Sequence, residues 1–234
     1  MEKLQTLKFM TAIAAIAFGA SAGAATITNS LTAPIVDGDD IANLAAATGS
    51  ASVWSDRPVQ GQTFTSSATG GDLNSITVQI FESAANAPIN GWKDYQLRFG
   101  TMDLTPSAEA INVAVVTVDR YDPDADADSY LTFTFDTPIS LTASTVYGFD
   151  LGVEASQAGW QAGIPAVRTT GDEYAGGQRI QGSRPNQIDN ITGQPNGVSL
   201  TGGDLVFHLD IVPEPSSLAL LAMGGLVVAR RRRK

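Results

Sequence analysis

Short stretches in which apolar and polar residues alternate with a period of two dominate the sequence. In one of them, Ile76, Val78 and Ile80 alternate with Thr77 and Gln79. Successive side chains of a strand point to opposite faces, so such a stretch has one apolar and one polar face. This pattern predicts antiparallel strands that each place one face on a core. The same alternation is present at 95–99, 131–135, 147–151 and 205–211.

The number of these stretches predicts an all-β fold. With the segments Ala51–Trp54, Gln62–Thr65 and Ile111–Val118, residues 25–211 are expected to hold about eight to ten strands. The 23 glycines and 11 prolines favour turns over long helices. No repeat of fixed period is visible, which argues against a solenoid or a propeller. The expected fold is an antiparallel two-sheet sandwich, jelly-roll-like.

Two segments of this region lack the alternation. Asp39–Ala47 is the best candidate for a helix. Gln157–Gly203 is the longest stretch without a clear strand pattern, and we expect an irregular loop there. Loops of that length in a compact domain often carry function.

The first 24 residues have the three parts of a secretory signal peptide, which we expect to be helical. Lys3 and Lys8 supply positive charge, and Phe9–Gly19 is an apolar stretch of 11 residues. Small residues around Ala22 and Ala24 provide the site that signal peptidase requires. The apolar stretch is short for a membrane span, which favours cleavage over anchoring. We expect cleavage after Ala24, with Ala22 as the alternative.

Residues 212–234 have a similar arrangement in reverse order. Pro213-Glu214-Pro215 interrupts a strand, twelve uncharged residues follow at Leu218–Ala229, and five basic residues occupy 230–234. Twelve helical residues rise about 18 Å, well short of the roughly 30 Å hydrocarbon core. The basic residues are expected to stay in the cytoplasm and the preceding domain outside. The pattern is typical of a short, oriented and temporary membrane helix.

This tail resembles the PEP-CTERM sorting signal. The tripeptide Pro213-Glu214-Pro215, a short apolar segment with two glycines and an arginine cluster occur in the order of that family. The resemblance implies that exosortase, a membrane-embedded transpeptidase-like enzyme of Gram-negative bacteria, removes the tail near the motif. It also implies transfer of the protein to the outer surface or the extracellular matrix. It covers about 23 residues and says nothing about the activity of residues 25–211.

Residues 25–211 resemble, less specifically, the sandwich ectodomains that often precede such tails. These ectodomains are largely uncharacterised, so the resemblance implies a β-sandwich and no defined ligand. The segments that carry it are 61–65, 131–135, 139–142, 147–151, 172–177 and 203–210.

The charge of the expected mature region limits its partners. Residues 25–213 hold 7 basic and 22 acidic residues, a net charge of −15. Such a domain repels nucleic acid and anionic lipid, so contact with the membrane is expected through the tail alone. The sequence has no cysteine, which excludes disulfides, thiol catalysis and thiolate metal sites.

An aspartate-rich segment provides a candidate calcium site. Asp122, Asp124, Asp126 and Asp128 alternate with other residues, and carboxylates spaced in this way are common ligands of calcium. The segment lacks the central glycine and the final glutamate of the EF-hand. The alternative is a solvated acidic hairpin loop between two strands. Calcium is the single cofactor that the sequence suggests.

Three side chains suggest other chemistry. Trp92 and Trp160 lie in turn contexts, where an exposed indole can stack on a sugar ring. His208 is the one histidine of the sequence. It directly follows Phe207, so we expect it on the opposite, polar face of the last strand and half-exposed. A Ser-His-Asp hydrolase would need this imidazole, but no Gly-x-Ser-x-Gly motif accompanies it.

Three functions remain, and the first is favoured. The first is an exported surface or matrix protein whose sandwich is structural or adhesive. The second is a carbohydrate-binding module for exopolysaccharide, and the third is a hydrolase. Because the hydrolase is the least favoured of the three, we do not expect an enzyme. The expected processing partners are signal peptidase and exosortase.

The calcium hypothesis predicts a metal-dependent melting temperature. A ligand that binds only the folded state stabilises it, by about 2.7 kcal/mol at a hundred times its dissociation constant. Thermal unfolding in calcium and in a chelator measures this difference. The paired substitution Asp122→Asn and Asp124→Asn should abolish the response. An unchanged midpoint in the unsubstituted protein would contradict the hypothesis.

Overall fold

A computed structural model of the chain describes residues 21–22, 25–47, 49–52, 58–80, 93–103, 110–121, 129–153, 165–168, 171, 173–185 and 196–213. These residues form fourteen strands and no helix. The strands are β1 (Ser21–Ala22), β2 (Ala25–Ser30), β3 (Ile41–Asn43), β4 (Gly49–Ser52), β5 (Pro58–Thr65), β6 (Gly71–Ile80), β7 (Lys93–Asp103), β8 (Ala110–Tyr121), β9 (Ser129–Leu141), β10 (Val146–Val153), β11 (Pro165–Arg168), β12 (Arg179–Pro185), β13 (Asn196–Thr201) and β14 (Phe207–Val212).

The first sheet is built on five antiparallel strands in the order β8-β7-β10-β5-β12. β13 pairs with β12 and also with the start of β8, and β1 pairs in parallel with the middle of β8. Because β8 is also the partner of β7, six of these strands form a closed ring of pairings. The first sheet therefore curls around one of its own faces.

The second sheet is built on four antiparallel strands in the order β2-β9-β6-β14. β3 pairs with the other edge of β14, and β11 joins β4 to the end of β6. The register between β6 and β14 shifts between Asp210 and Ile211, where a bulge leaves Asn74 without an opposite residue. Such a bulge bends the strand and redirects the groups that follow it.

The apolar faces of the two sheets pack together as the main core. Phe99 and Tyr147 stack within the first sheet, with ring centroids 5.4 Å apart, and Phe64 lies beside both. Phe149 of the first sheet meets Phe207 of the second at 5.9 Å. The predicted all-β fold with two antiparallel sheets is confirmed. The core also includes Leu73, Ile76, Val78, Leu97, Leu131, Phe133, Leu151, Leu205 and Leu209.

The opposite face of the first sheet is also buried, around a second small core. Ile111 of β8 and Ile180 of β12 are fully buried there, and Met102 packs against them. A side chain at Gly148 would collide with the Met102 sulfur, so the glycine lets Met102 lie over β10. The curl of the sheet brings these three strands around one interior.

An ion pair lies on the same face. Arg98 of β7 and Asp150 of β10 are directly opposite each other, and both are almost fully buried. Arg98 Nε donates to Asp150 Oδ1 at 2.8 Å, and Arg98 Nη2 donates to Oδ2. Burial alone lowers the pKa of Arg98, but the charge and hydrogen bonds of Asp150 outweigh it and raise that pKa above its usual value. Arg98 therefore stays charged inside the protein.

Two sequence-based expectations for the middle of the chain are wrong. Asp39–Ala47 contains the strand β3 instead of a helix, and Asn43 Nδ2 donates to the Leu205 carbonyl at 2.8 Å. Residues 157–203 contain β11, β12 and β13 instead of one long loop. In both places, pairing with strands that are distant in sequence outweighs the weak local pattern.

The helices expected at the two ends fall mostly on residues 1–20 and 214–234, which lie outside the described part of the chain. Ser21 and Ala22, inside the predicted signal peptide, form the short strand β1. Among the described residues, none belongs to a helix with the length and apolar character needed to cross a membrane.

Breaking the buried ion pair should strongly destabilise the fold. Asp150→Asn removes one charge and leaves the Arg98 guanidinium buried, which typically costs about 3–5 kcal/mol. The free energy of unfolding from denaturant titration measures the loss. Asp136→Asn, at an exposed position of β9, is the matched control and should change stability by less than about 0.5 kcal/mol. Equal effects of the two substitutions would contradict this account of the pair.

Candidate functional site: the groove at the last strand

A groove of about 610 Å³ lies on the outer face of the second sheet. Its floor includes a row of directly paired residues, Thr132 of β9, Thr77 of β6 and His208 of β14. The two threonine hydroxyls hydrogen-bond at 2.9 Å. Five residues of the segment 34–40, between β2 and β3, line one side: Pro34, Ile35, Asp37, Gly38 and Asp40. This segment covers part of the sheet face, which explains why polar residues of the row are buried.

One carboxylate attaches this segment to the last strand. Asp40 Oδ2 lies 3.0 Å from His208 Nε2 and also accepts a hydrogen bond from the Asp37 backbone N–H at 3.0 Å. Asp40 Oδ1 accepts from the Ile211 backbone N–H at 2.9 Å. A carboxylate can only accept, so the contact with His208 places the proton on Nε2. Asp40 thus holds both the turn at 37–40 and the end of β14.

The bulge explains why the backbone of Ile211 is available to Asp40. Asp210 pairs with Ser75, whereas Ile211 pairs with Leu73, so the regular ladder is interrupted between them. A backbone N–H that leaves the ladder needs another acceptor when water is excluded. Asp40 supplies that acceptor, and the chain then continues through Val212 to Pro213, which both line the groove.

Part of the rim of the groove is apolar. Ile35 is 82% exposed and Val212 is 47% exposed, and both line the groove together with Pro34 and Pro213. Val36, next to Ile35, is 51% exposed. The groove therefore combines a polar floor with an apolar edge.

His208 differs from the expectation of a half-exposed strand histidine. It is only 5% exposed, because Asp40 and its segment cover it. The two residues are separated by 168 positions. In the sequence, Asp40 belongs to an acidic group with Asp37 and Asp39, and no local signal links that group to His208.

Most residues that the sequence singled out lie outside the described part of the chain. This holds for the candidate calcium ligands Asp122, Asp124, Asp126 and Asp128, for the candidate glycan-stacking residues Trp92 and Trp160, and for Glu214 and Pro215 of the motif. Within the described ranges, no group of three or more residues is arranged to hold a metal ion.

The fold nonetheless shows which strands flank the aspartate segment and where Pro213 lies. The aspartates fall between β8 and β9, which belong to different sheets. Pro213 is described, and it lies exposed at the edge of the groove.

Residues 212–234 match the family model of the PEP-CTERM protein-sorting motif. The chain carries a PEP-CTERM sorting signal. No curated protein and no solved structure matches the chain. The PEP-CTERM signal implies an exported, envelope-associated protein that exosortase processes. Its match begins at Val212, the last residue of β14, so the signal starts directly at the folded domain.

Removing the charge of Asp40 should loosen the end of β14. Asp40→Asn weakens the contact with His208 and puts an amide where one backbone N–H needs an acceptor, at a cost of about 1–3 kcal/mol. Hydrogen exchange of the Ile211 amide and the free energy of unfolding measure this effect. Asp37→Asn, in the same segment but exposed, should leave both nearly unchanged. Unaltered exchange at Ile211 in Asp40→Asn would refute the anchoring.

Proposed function

We propose that the chain is a surface or extracellular-matrix protein of a Gram-negative bacterium, with a structural or adhesive β-domain. Signal peptidase removes residues 1–24 during export, and exosortase then acts at the PEP-CTERM signal. The observation that carries this proposal is the sorting signal that follows directly on the last strand of a folded β-domain. The signal directs the protein to the cell surface or matrix, and the domain performs the structural or adhesive function there.

The positions of the two ends support this order of events. Ala25, the first residue after the expected signal peptide, pairs with Phe135 of β9. The neighbouring Thr134 lies in the same row as Ser75 and Asp210, close to the end of β14. Both membrane-directed segments therefore leave from the same end of the second sheet. The domain can keep that end towards the membrane from export until the tail is removed.

We also propose a jelly-roll topology for the domain. Eight strands, β3, β5, β6, β7, β8, β9, β10 and β14, form the centre of the two sheets. Numbered one to eight in chain order, they read 1-8-3-6 in the second sheet and 2-7-4-5 in the first. That arrangement is the order of a jelly roll. The remaining strands extend the sheet edges.

A role without catalysis fits the environment of His208. The sequence contains one histidine, and its Nε2 already contacts Asp40 in a nearly closed position. A general base must reach the proton that it removes, directly or through one water. The polar face of the groove is therefore better suited to holding the segment 34–40 than to hydrolysis.

Binding of exopolysaccharide is the alternative function of the domain. It depends on Trp92 and Trp160 and on the analogy with other sandwich domains. The described residues add no aromatic platform on the groove, whose exposed apolar side chains are aliphatic or proline. We therefore keep the structural or adhesive function as the proposal.

Replacing the motif glutamate tests the sorting function. In a host that makes exosortase, Glu214→Gln should leave a larger, membrane-retained form, because the enzyme no longer recognises the tripeptide. Gel mobility and cell fractionation measure both properties. Glu173→Gln, at an exposed position of the domain, is the matched control and should be processed like the unsubstituted protein. Normal tail removal from Glu214→Gln would contradict the proposed use of the motif.

A further inference from the structure

The apolar rim of the groove is unusual for this acidic domain. In the part of the chain that the structure describes, four large hydrophobic residues are strongly exposed: Leu31, Ile35, Val36 and Val212. Two of them, Ile35 and Val212, face the same groove from two segments that are far apart in sequence. A clustered apolar surface with a polar surround is typical of an interaction site.

The position of this rim relative to the sorting signal indicates the partner. Val212 and Pro213 belong both to the groove and to the PEP-CTERM match. The five residue steps from Pro213 to Leu218, where the apolar segment of the tail begins, span at most roughly 18 Å. An enzyme that binds the tripeptide must therefore place its own surface next to the groove.

The charges around the groove favour a protein over a lipid surface. Asp37 is exposed at its edge, Asp210 is half-buried in it, and the described residues that line it include no arginine or lysine. Anionic headgroups would be repelled by these carboxylates. A complementary surface would combine an apolar projection with cationic groups, as in specific protein interfaces.

The end of β14, where the sorting signal begins, is held in the domain beside the groove. The Ile211 amide is held by Asp40, and β14 is paired on both sides, with β3 and with β6. The position of Val212 beside the groove is therefore defined by the fold. An enzyme that binds the groove gains the tripeptide at a high effective concentration, because the two sites share one strand.

We propose that this groove is a docking surface for the enzyme that removes the PEP-CTERM tail. The enzyme inserts an apolar projection between Ile35 and Val212 and presents cationic groups to Asp37 and Asp210. This inference rests on the proposed processing by exosortase. It adds that the enzyme recognises the folded domain as well as the tripeptide.

The rate of tail removal in a host that makes exosortase tests the proposal. Ile35→Asp in the full chain should slow processing about tenfold in a pulse-chase experiment, since truncation of a central interface residue commonly has an effect of this size. Leu31→Asp is the matched control, because Leu31 is 70% exposed in the same segment but does not line the groove. The control should be processed at the unsubstituted rate.

The outcomes separate this proposal from the sorting function. An unsubstituted chain that keeps its tail would overturn both. Normal processing of the unsubstituted chain together with an equal rate for Ile35→Asp would overturn only the docking groove. Both variants should keep the unsubstituted melting temperature, because each replaces an exposed side chain.

Photocrosslinking identifies the occupant of the groove. A photoreactive residue at position 35 of the otherwise unsubstituted chain, irradiated before the tail is removed, should form an adduct with exosortase, whereas the same residue at position 31 should not. An adduct with a second copy of this chain, or with lipid alone, would overturn the proposal in favour of self-association or of a membrane contact.

Discussion

The buried carboxylate of Asp204 connects parts of the fold that are far apart in the chain. It accepts hydrogen bonds from Gln62 Nε2 at 2.8 Å and from the backbone N–H groups of Glu173 and Tyr174 at 2.9 and 3.0 Å. Gln62 Oε1 in turn accepts from the Leu205 N–H at 3.0 Å. The side chains of Gln62 and Asp204 are buried, and these hydrogen bonds give them partners, as burial requires. The connection holds the start of β14 against the first sheet and so determines where the last strand, and the sorting signal after it, leaves the domain.

The first sheet carries a second constraint, since both of its faces are buried. One face packs on the second sheet, while the other encloses Ile111, Ile180 and the ion pair of Arg98 with Asp150. Burying two charges is costly unless they are paired with good geometry, and the two hydrogen bonds between the guanidinium and the carboxylate supply it. The pair joins directly opposite residues of β7 and β10. The curl of the first sheet around this interior leaves the outer face of the second sheet as the place for the groove.

The groove lies where the folded domain meets the sorting signal. The same strand, β14, supplies Phe207 and Leu209 to the core, His208 to the groove floor and Val212 to the sorting signal. Asp40 joins the end of this strand to the segment that carries Ile35. A chain that has not folded would display the tripeptide without the surface beside it, so docking on the groove would favour processing of folded molecules.

The sequence alone determined the sorting signal and the class of fold. The tail is recognised from residues that are adjacent in the chain, and the alternation at 76–80 or 131–135 is a local property of a strand with one buried face. The expectation for Asp39–Ala47 is wrong because Ile41–Asn43 has little pattern of its own and becomes a strand only by pairing with β14. The contact of His208 with Asp40 joins residues 168 positions apart, and the curl of the first sheet depends on β13 meeting β8. Only the tertiary structure decided these features, because they arise from pairing and packing between distant segments, for which a local pattern carries no information.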